Sequence, residues 1–253
     1  LYDYLSDSLH IVMNRVSVAD PGDNITADMA LSIGGDGTFL RTAQWIGDRQ
    51  IPILGINTGH LGYLAEIRLS EAPAMIADIL AGNYNVEPRS LLEAIIPDCP
   101  ADYWPYALNE AAILKKDTSS MITAHTAING TDLTTYLGDG LIISTPTGST
   151  GYNLSVGGPI IQPTAPNWVI SPIAAHSLTM RPLVTSDNER LSVTTTSRAG
   201  SYLLSLDGRS LSLQSGTTVE IRRAPFSVHI VQRPGHNFAS TLRAKLLWGI
   251  DNR

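Results

Sequence analysis

Three stretches carry acids and amides, the first and third among glycines and hydroxyl residues, a mixture suited to phosphate and sugar chemistry. The first is Gly34-Gly35-Asp36-Gly37-Thr38. Glycines there let the backbone come close to a ligand and turn N–H groups toward an anion. Asp36 would repel phosphate unless it served another purpose. It could accept a hydroxyl proton, or hold a magnesium ion that screens the charge. The plainer alternative is an Asp-Gly turn with Thr38 capping a helix, because short glycine motifs recur by accident.

The second stretch is Asn109-Glu110. An amide beside a carboxylate suits a sugar diol or a base edge, and a solvated strand end is the plainer reading. The third runs from Gly138-Asp139-Gly140 through Leu141–Ser144 to Thr145-Pro146-Thr147-Gly148-Ser149-Thr150-Gly151-Tyr152-Asn153-Leu154-Ser155-Val156-Gly157-Gly158-Pro159. A buried apolar strand opens there into residues with many hydrogen-bonding groups and little bulk, as a nucleotide pocket needs. Tyr152 could stack on a base and Asp139 could accept from an exocyclic amine. The alternative is a Gly/Ser/Thr loop with Tyr152 in the core.

Other candidates take plainer readings. Leu206-Asp207-Gly208 is a hairpin turn before it is a ligand-facing acid. His176 reads as structural, and His60 as a loop residue near the first motif. The Cys and His residues show no metal-ligand spacing. Walker, GxGxxG and GxSxG patterns are absent.

These motifs need elements to hold them. Residues 1–10 have helical apolar spacing, Pro21 to Asn24 form a loop cluster, and Met29–Ile33 reads as a buried strand running into the glycines. Phe39–Ile46 has helical spacing. Ile51–Ile56 predicts a second strand, followed by the turn Asn57-Thr58-Gly59-His60-Leu61-Gly62 and a helix over 73–81. This alternation predicts a parallel sheet with helices packed on it. Beyond about residue 85, short β-rich runs dominate: Leu91–Ile96, Glu110–Lys115, Met121–Ile128, Gly140–Ser144, Trp168–Ile173, Arg190–Thr195, Tyr202–Leu206 and Thr218–Arg222. Asn129-Gly130 marks a hairpin, and Leu242–Ile250 reads as a returning helix. The expected organisation is an α/β domain over 1–85, a β-rich domain over 86–239, and a tail, 240–253, that returns to the first.

Composition narrows the class. Among 253 residues, 43% are hydrophobic and 16% charged, which is globular. A net charge of −6 argues against a general nucleic-acid binder. The one cysteine, Cys99, excludes an intrachain disulfide and fits a reducing cytoplasm. No stretch approaches the ~20 apolar residues of a membrane span. The start, Leu1-Tyr2-Asp3-Tyr4-Leu5, is unlike a signal peptide.

Taken together, the motifs resemble the NAD kinase family: Gly34–Thr38, Asn57–Gly62, Asn109-Glu110 and Thr145–Pro159, then His176-Ser177-Leu178 and Arg181-Pro182. The first motif is shared with lipid kinases and 6-phosphofructokinases; the Thr145–Pro159 run is far more specific. The resemblance covers roughly residues 28–250. It implies an N-terminal α/β domain, a β-rich NAD-binding domain, and a site between them. Asp36 would accept the proton of the ribose 2′-hydroxyl of NAD, with Gly34, Gly35, Gly37 and Thr38 around the phosphates and Arg41 one helical turn on. Asn109 and Glu110 match NAD-contacting positions. Asp139, Thr147, Thr150, Tyr152 and Ser155 match nucleotide-pocket positions, with Gly151, Asn153 and Leu154 in the same run. Gly151 stands where alanine is frequent. The Asp139 equivalent reaches a site in a neighbouring subunit, which implies a homo-oligomer, a dimer or tetramer.

The resemblance further implies ATP (or polyphosphate) as donor and a divalent ion, magnesium, bound mainly through phosphates, with neither nucleic acid nor membrane as partner. Because the family begins with a further strand and helix, a preceding N-terminal segment is expected. A lipid kinase with the same glycine loop and a non-catalytic NAD(P)-binding sensor are the rival readings. The sensor should have lost the acid at position 36.

Overall fold

The computed structural model describes residues 2–14, 25–59, 62–117 and 120–248, without the side chains of residues 2–4. The expected loop at residues 21–24, and His60 and Leu61, lie outside them. The chain divides into two compact units, residues 1–88 with 228–253, and residues 89–227.

In the first unit, α1 (Tyr2–Ser8) precedes β1 (Ala30–Gly34), α2 (Asp36–Ile46), β2 (Ile53–Asn57), β3 (Ile67–Arg68), a 3-10 turn at Leu69–Glu71 and α3 (Ala72–Leu80). β2 is buried at all five positions, the mark of a central parallel strand covered on both faces. It pairs in parallel with β1, from Ala30↔Ile53 to Gly34↔Asn57, and with β3. α2 buries Phe39, Ala43 and Ile46, the stripe its helical spacing predicts. It starts at Asp36, three residues earlier than the apolar pattern suggests, because the Thr38 and Phe39 N–H groups already bond to the Gly35 carbonyl. It ends at Gly47, whose φ of 59° lets its N–H reach the Ala43 carbonyl at 2.9 Å. A core of Leu5, Leu54, Ile56, Ile67, Met75, Ile76 and Val231 fixes α3 and α1 on the sheet.

The second unit is β-rich. β4 (Asn85–Ile95) carries the chain into it. There follow β5 (Tyr106–Ala107), β6 (Glu110–Lys115), β7 (Ile122–Ile128), β8 (Thr131–Gly138), β9 (Gly140–Ser144), a 3-10 turn at Thr147–Thr150, α4 (Tyr152–Ser155), β10 (Asn167–Ile173), β11 (Leu183–Ser186), β12 (Leu191–Ser197), β13 (Ser201–Leu206) and β14 (Arg209–Gln214). β15 (Thr218–Gln232) carries the chain back, and α5 (Phe238–Leu246) follows. One sheet has the order β11-β10-β9-β6-β13-β14, antiparallel throughout. In the other, β15, β12, β7 and β8 are antiparallel neighbours. Inward residues of both interleave in one core that includes Ile113, Ile122, Leu141, Ile143, Trp168, Ile170, Val193, Tyr202, Leu204 and Ile221. This is the two-layer packing expected of short alternating strands.

β15 runs ten residues beyond the expected Thr218–Arg222, through Pro225. Proline removes one ladder donor, which tolerates an edge or irregular position and obscures the strand pattern. β8 and β14 were not expected as strands. β8 buries only Tyr136 and Gly138, so its sequence lacks an apolar face.

Candidate active site

In the first unit the motif stands where β1 opens into α2. Gly34 is required by packing, because a Cβ there would lie 2.4 Å from Thr38 Oγ1. A Cβ at Gly35 or Gly37 would meet open space, so neighbouring atoms do not demand those two glycines. The Asp36 carboxylate points at the segment after β2. Its Oδ2 accepts from Tyr63 N–H at 2.7 Å, and its Oδ1 accepts from Leu64 N–H at 3.0 Å and Ala65 N–H at 3.1 Å. Three successive amides thus seat one carboxylate, and a Cβ at Gly62 would strike Oδ1 at 2.0 Å. The orientation of Asp36 is fixed by backbone, which a free surface aspartate lacks. Arg41, exposed on α2, donates to Thr38 Oγ1 at 3.2 Å.

The C-terminal helix helps to hold that segment. The Lys245 ammonium donates to the Gly62 carbonyl, lies 3.8 Å from Glu66 Oε1 and sits 5.1 Å over the Tyr63 ring. His236 approaches the other Glu66 oxygen at 3.1 Å.

In the second unit, Asn109 and Glu110 lie where β6 begins. Their backbone is clasped by the turn that starts the hydroxyl-rich run. Thr145 N–H donates to the Asn109 carbonyl at 2.8 Å, and Thr145 Oγ1 donates to the Leu108 carbonyl at 2.5 Å. A Cβ at Gly148 would lie 2.1 Å from the Asn109 carbonyl oxygen, so only glycine fits. A Cβ at Gly151 would sit 3.4 Å from Glu110 Oε2 and 3.9 Å from Asn109 Nδ2, ordinary or slightly tight contacts. The side chains of Asn109 and Glu110 therefore converge on Gly151.

Thr147 is buried, with Oγ1 accepting from Arg89 at 3.4 Å. Thr150 Oγ1 donates to the Thr147 carbonyl at 3.3 Å. The Tyr152 ring is exposed, as is Ser155, and Leu154 is half-buried. Asn153 faces inward: its Oδ1 accepts from Ser171 Oγ at 2.6 Å, and its Nδ2 donates to the Ser149 and Pro159 carbonyls at 3.2 and 3.1 Å. It knits the run together from inside.

The Glu110 carboxyl is unusual. Its Oε2 is buried with no hydrogen-bond partner among the described residues. Desolvation, reinforced by the negative charge of Asp207 and offset in part by the Tyr152 N–H, pushes its pKa up to about 8. At neutral pH it carries its proton, so it can donate as well as accept.

Asp139 does not join this group. It precedes β9, whereas Thr145 follows it, and five β-residues at ~3.3 Å each separate the two ends by about 16 Å. Asp139 instead pairs with Lys115 at 2.7 Å and donates its N–H to the Ile173 carbonyl at 3.0 Å. The exposed His176 lies at that same end, its N–H bonded to the Leu137 carbonyl. Among the described residues no three His, Cys, Asp or Glu side chains form a group able to hold a metal ion.

Asp207 is the residue whose part in the site the sequence did not disclose. Its carboxylate receives the N–H groups of Leu108, Asn109 and Glu110.

Comparison with known proteins adds to this geometry. Residues 9–84 match the ATP-NAD kinase N-terminal domain, and residues 108–233 match the ATP-NAD kinase C-terminal domain. The chain belongs to the NAD kinase family. It is 50% identical over 231 residues to a NAD kinase of Bacteroides fragilis, covering 91% of this chain and 80% of that one. It is 48% identical over 222 residues to a NAD kinase of Porphyromonas gingivalis, covering 88% and 76%. Among solved structures, yeast NADH kinase complexed with NADH matches with a TM-score of 0.82 at 25% identity, covering 90% of this chain and 68% of that one. A NAD kinase from Archaeoglobus fulgidus in complex with ATP matches with a TM-score of 0.73 at 28% identity, covering 86% and 83%. The two family domains thus follow the order of this chain, an α/β part and then a β-rich part.

Proposed function

We propose that this chain transfers the terminal phosphoryl group of ATP to the 2′-hydroxyl of the adenosine ribose of NAD. It is a NAD kinase, and its reaction is the phosphorylation of NAD to NADP. In the step, the O2′–Pγ bond forms as the bond from Pγ to the β,γ-bridging oxygen breaks. The hydroxyl proton passes to Asp36, and ADP leaves. Such transfer needs mainly positioning and charge neutralisation. The observation that carries the assignment is the seated carboxylate of Asp36. Three backbone amides hold it in one orientation at the mouth of the glycine turn, ready to accept from a hydroxyl without first reorganising.

The roles of the remaining residues follow their settings. The Gly35 and Gly37 backbone, open to approach, and Arg41 handle the triphosphate. Asn109, neutral Glu110, Thr147, Thr150, Gly151, Tyr152 and Ser155 receive NAD, within a framework set by Asn153 and Leu154. On this reading the first unit, residues 1–88 with 228–253, handles the phosphates, and the second, residues 89–227, binds NAD. ATP enters as its magnesium complex, the ion being held by phosphates and water. The separation of Asp139 from the Thr147–Ser155 run supports a homo-oligomer in which Asp139 serves a neighbouring subunit's site. No described helix is long and apolar enough to cross a membrane. The free thiol of Cys99 fits a reducing cytoplasm.

The test is NADP formation from NAD with ATP and magnesium. Product supports the assignment. A folded protein that makes none with ATP or with polyphosphate overturns it, and phosphorylation of diacylglycerol or a sphingoid base in vesicles would replace it with a lipid kinase.

A further inference from the structure

Asp207 and Gly208 form the two-residue turn between β13 and β14, with Leu206 paired to Arg209. Their φ angles of 48° and 82° are those of the tight hairpin turn that favours Asn-Gly and Asp-Gly. Such a turn does not need a carboxylate. Asn129-Gly130 makes the corresponding turn between β7 and β8 in the same unit, with φ angles of 51° and 78°.

The charge at 207 has its own use. Leu108 N–H donates to Asp207 Oδ2 at 2.7 Å. Asn109 and Glu110 N–H donate to Oδ1 at 2.9 and 3.1 Å. Asp207 N–H returns a bond to the Glu110 carbonyl at 3.2 Å. The amide edge of residues 108–110 is therefore held by Asp207, and the carbonyls of Leu108 and Asn109 by Thr145. Both side chains that converge on Gly151, those of Asn109 and Glu110, hang from this clamped segment. Asp36 holds Tyr63–Ala65 by the same three-amide device.

We propose that Asp207 is a positioning residue for NAD, its carboxylate setting the place of Asn109 and Glu110 in the nucleotide pocket. The inference rests on the kinase reading above. Burial pushes the Asp207 carboxyl up, against the three amides and Arg209, which favour its charged form; that charge faces Glu110 on β6 and raises the Glu110 carboxyl further. The other charged or titratable groups around it are Arg209 on β14, whose guanidinium donates to the Trp104 and Tyr106 carbonyls, and the Tyr103 phenol beyond it.

The test compares wild type, Asp207→Gly, Asp207→Asn and a control, Asn129→Gly, in NADP formation across pH 6–9. Both substitutions at 207 suit the positive φ of the turn. The expected result for Asp207→Gly is a rise of at least tenfold in KM for NAD, with kcat within threefold and KM for ATP within twofold of wild type. Asp207→Asn, which keeps one acceptor oxygen, falls between. In both, the Glu110-dependent limb of KM for NAD moves to lower pH because the facing negative charge is gone. Asn129→Gly loses hydrogen bonds in the same unit and moves neither quantity. An Asp207→Gly enzyme with unchanged KM for NAD and an unshifted profile overturns the inference, as does Asn129→Gly reproducing both effects. If Asp207→Gly does not fold, Asp207→Asn is judged by the same criteria. Wild type that forms no NADP overturns the kinase reading and this inference with it. An active wild type with an unaffected Asp207 variant overturns this inference alone.

Discussion

Asp36→Asn separates chemistry from architecture, because the structure shows what the new amide would face. The carboxylate accepts three N–H groups, two on Oδ1 and one on Oδ2. Asparagine does best with its oxygen toward Leu64 and Ala65, which turns its NH2 against the Tyr63 N–H. One charge-assisted bond is lost, two become neutral, and a backbone donor is left facing a donor. Bonds to charged groups contribute about 1.5–3 kcal/mol, against about 0.5–1.5 kcal/mol for neutral ones. The net loss is therefore about 3.5–6 kcal/mol. For a chain of this size each kcal/mol moves Tm by about 2–4 °C, so Tm should fall by roughly 7–24 °C. Losing the proton acceptor should reduce kcat by about 10²–10⁴-fold. NADP formation gives kcat, NAD titration calorimetry gives affinity, and thermal unfolding gives the structural cost. NAD affinity should stay within a few-fold of wild type, since Asn109 and Glu110 are untouched. Turnover within tenfold of wild type, alongside the expected loss of Tm, would refute the reasoning: Asp36 would then only brace the Tyr63–Ala65 segment.

Further expectations concern the β-rich unit. Gly148→Ala drives a Cβ into the Asn109 carbonyl at 2.1 Å and should cost about 1–3 kcal/mol while raising KM for NAD, read by urea unfolding and steady-state kinetics. Gly151→Ala meets only contacts of 3.3–3.9 Å and should leave both parameters within about threefold. Glu110 is protonated in the folded chain up to about pH 8, whereas an unfolded glutamate ionises near pH 4.3. Between those values the folded state binds more protons, so this group's contribution to stability falls as pH rises from about 4 to about 8. Urea unfolding at several pH values should show that wild type loses stability relative to Glu110→Gln across that window.

Parts of the molecule were legible in the sequence because their residues act locally. β6 and β9 occupy the expected residues, since an unbroken apolar run bounded by polar or glycine residues suffices to define a buried strand. The α2 stripe was equally plain. β8 was missed because its outward residues other than Leu137 are polar and its inward ones few, and the second half of β15 because Arg222, Arg223 and Pro225 interrupt the pattern. At the site, the glycine motif and the hydroxyl-rich run announced themselves by residue type. Their supports did not. Asp207 bonds to amides 97 to 99 positions away, and Asp36 to amides 27 to 29 positions away. The register of a sheet brings Asp207 to its partners, and composition does not encode it. The Asp-Gly reading at 207 correctly gave the turn, and turn chemistry alone has no use for the carboxylate.

The first unit also carries a consequence for biosynthesis. Its sheet is completed by Ile230 beside Ile53, its core by Val231, and the segment that seats Asp36 by Lys245. All three emerge from the ribosome after the whole of residues 89–227. At about 5–20 residues per second, β2 waits roughly 10–35 s for the last strand to pair beside it. The β-rich unit is contiguous and can fold meanwhile. The nascent first unit therefore spends that interval with the Ile53 end of one β2 edge unpaired, where chaperone capture or mispairing would act. A truncation that removes only the last two dozen residues should impair the unit that holds Asp36 while sparing the β-rich unit.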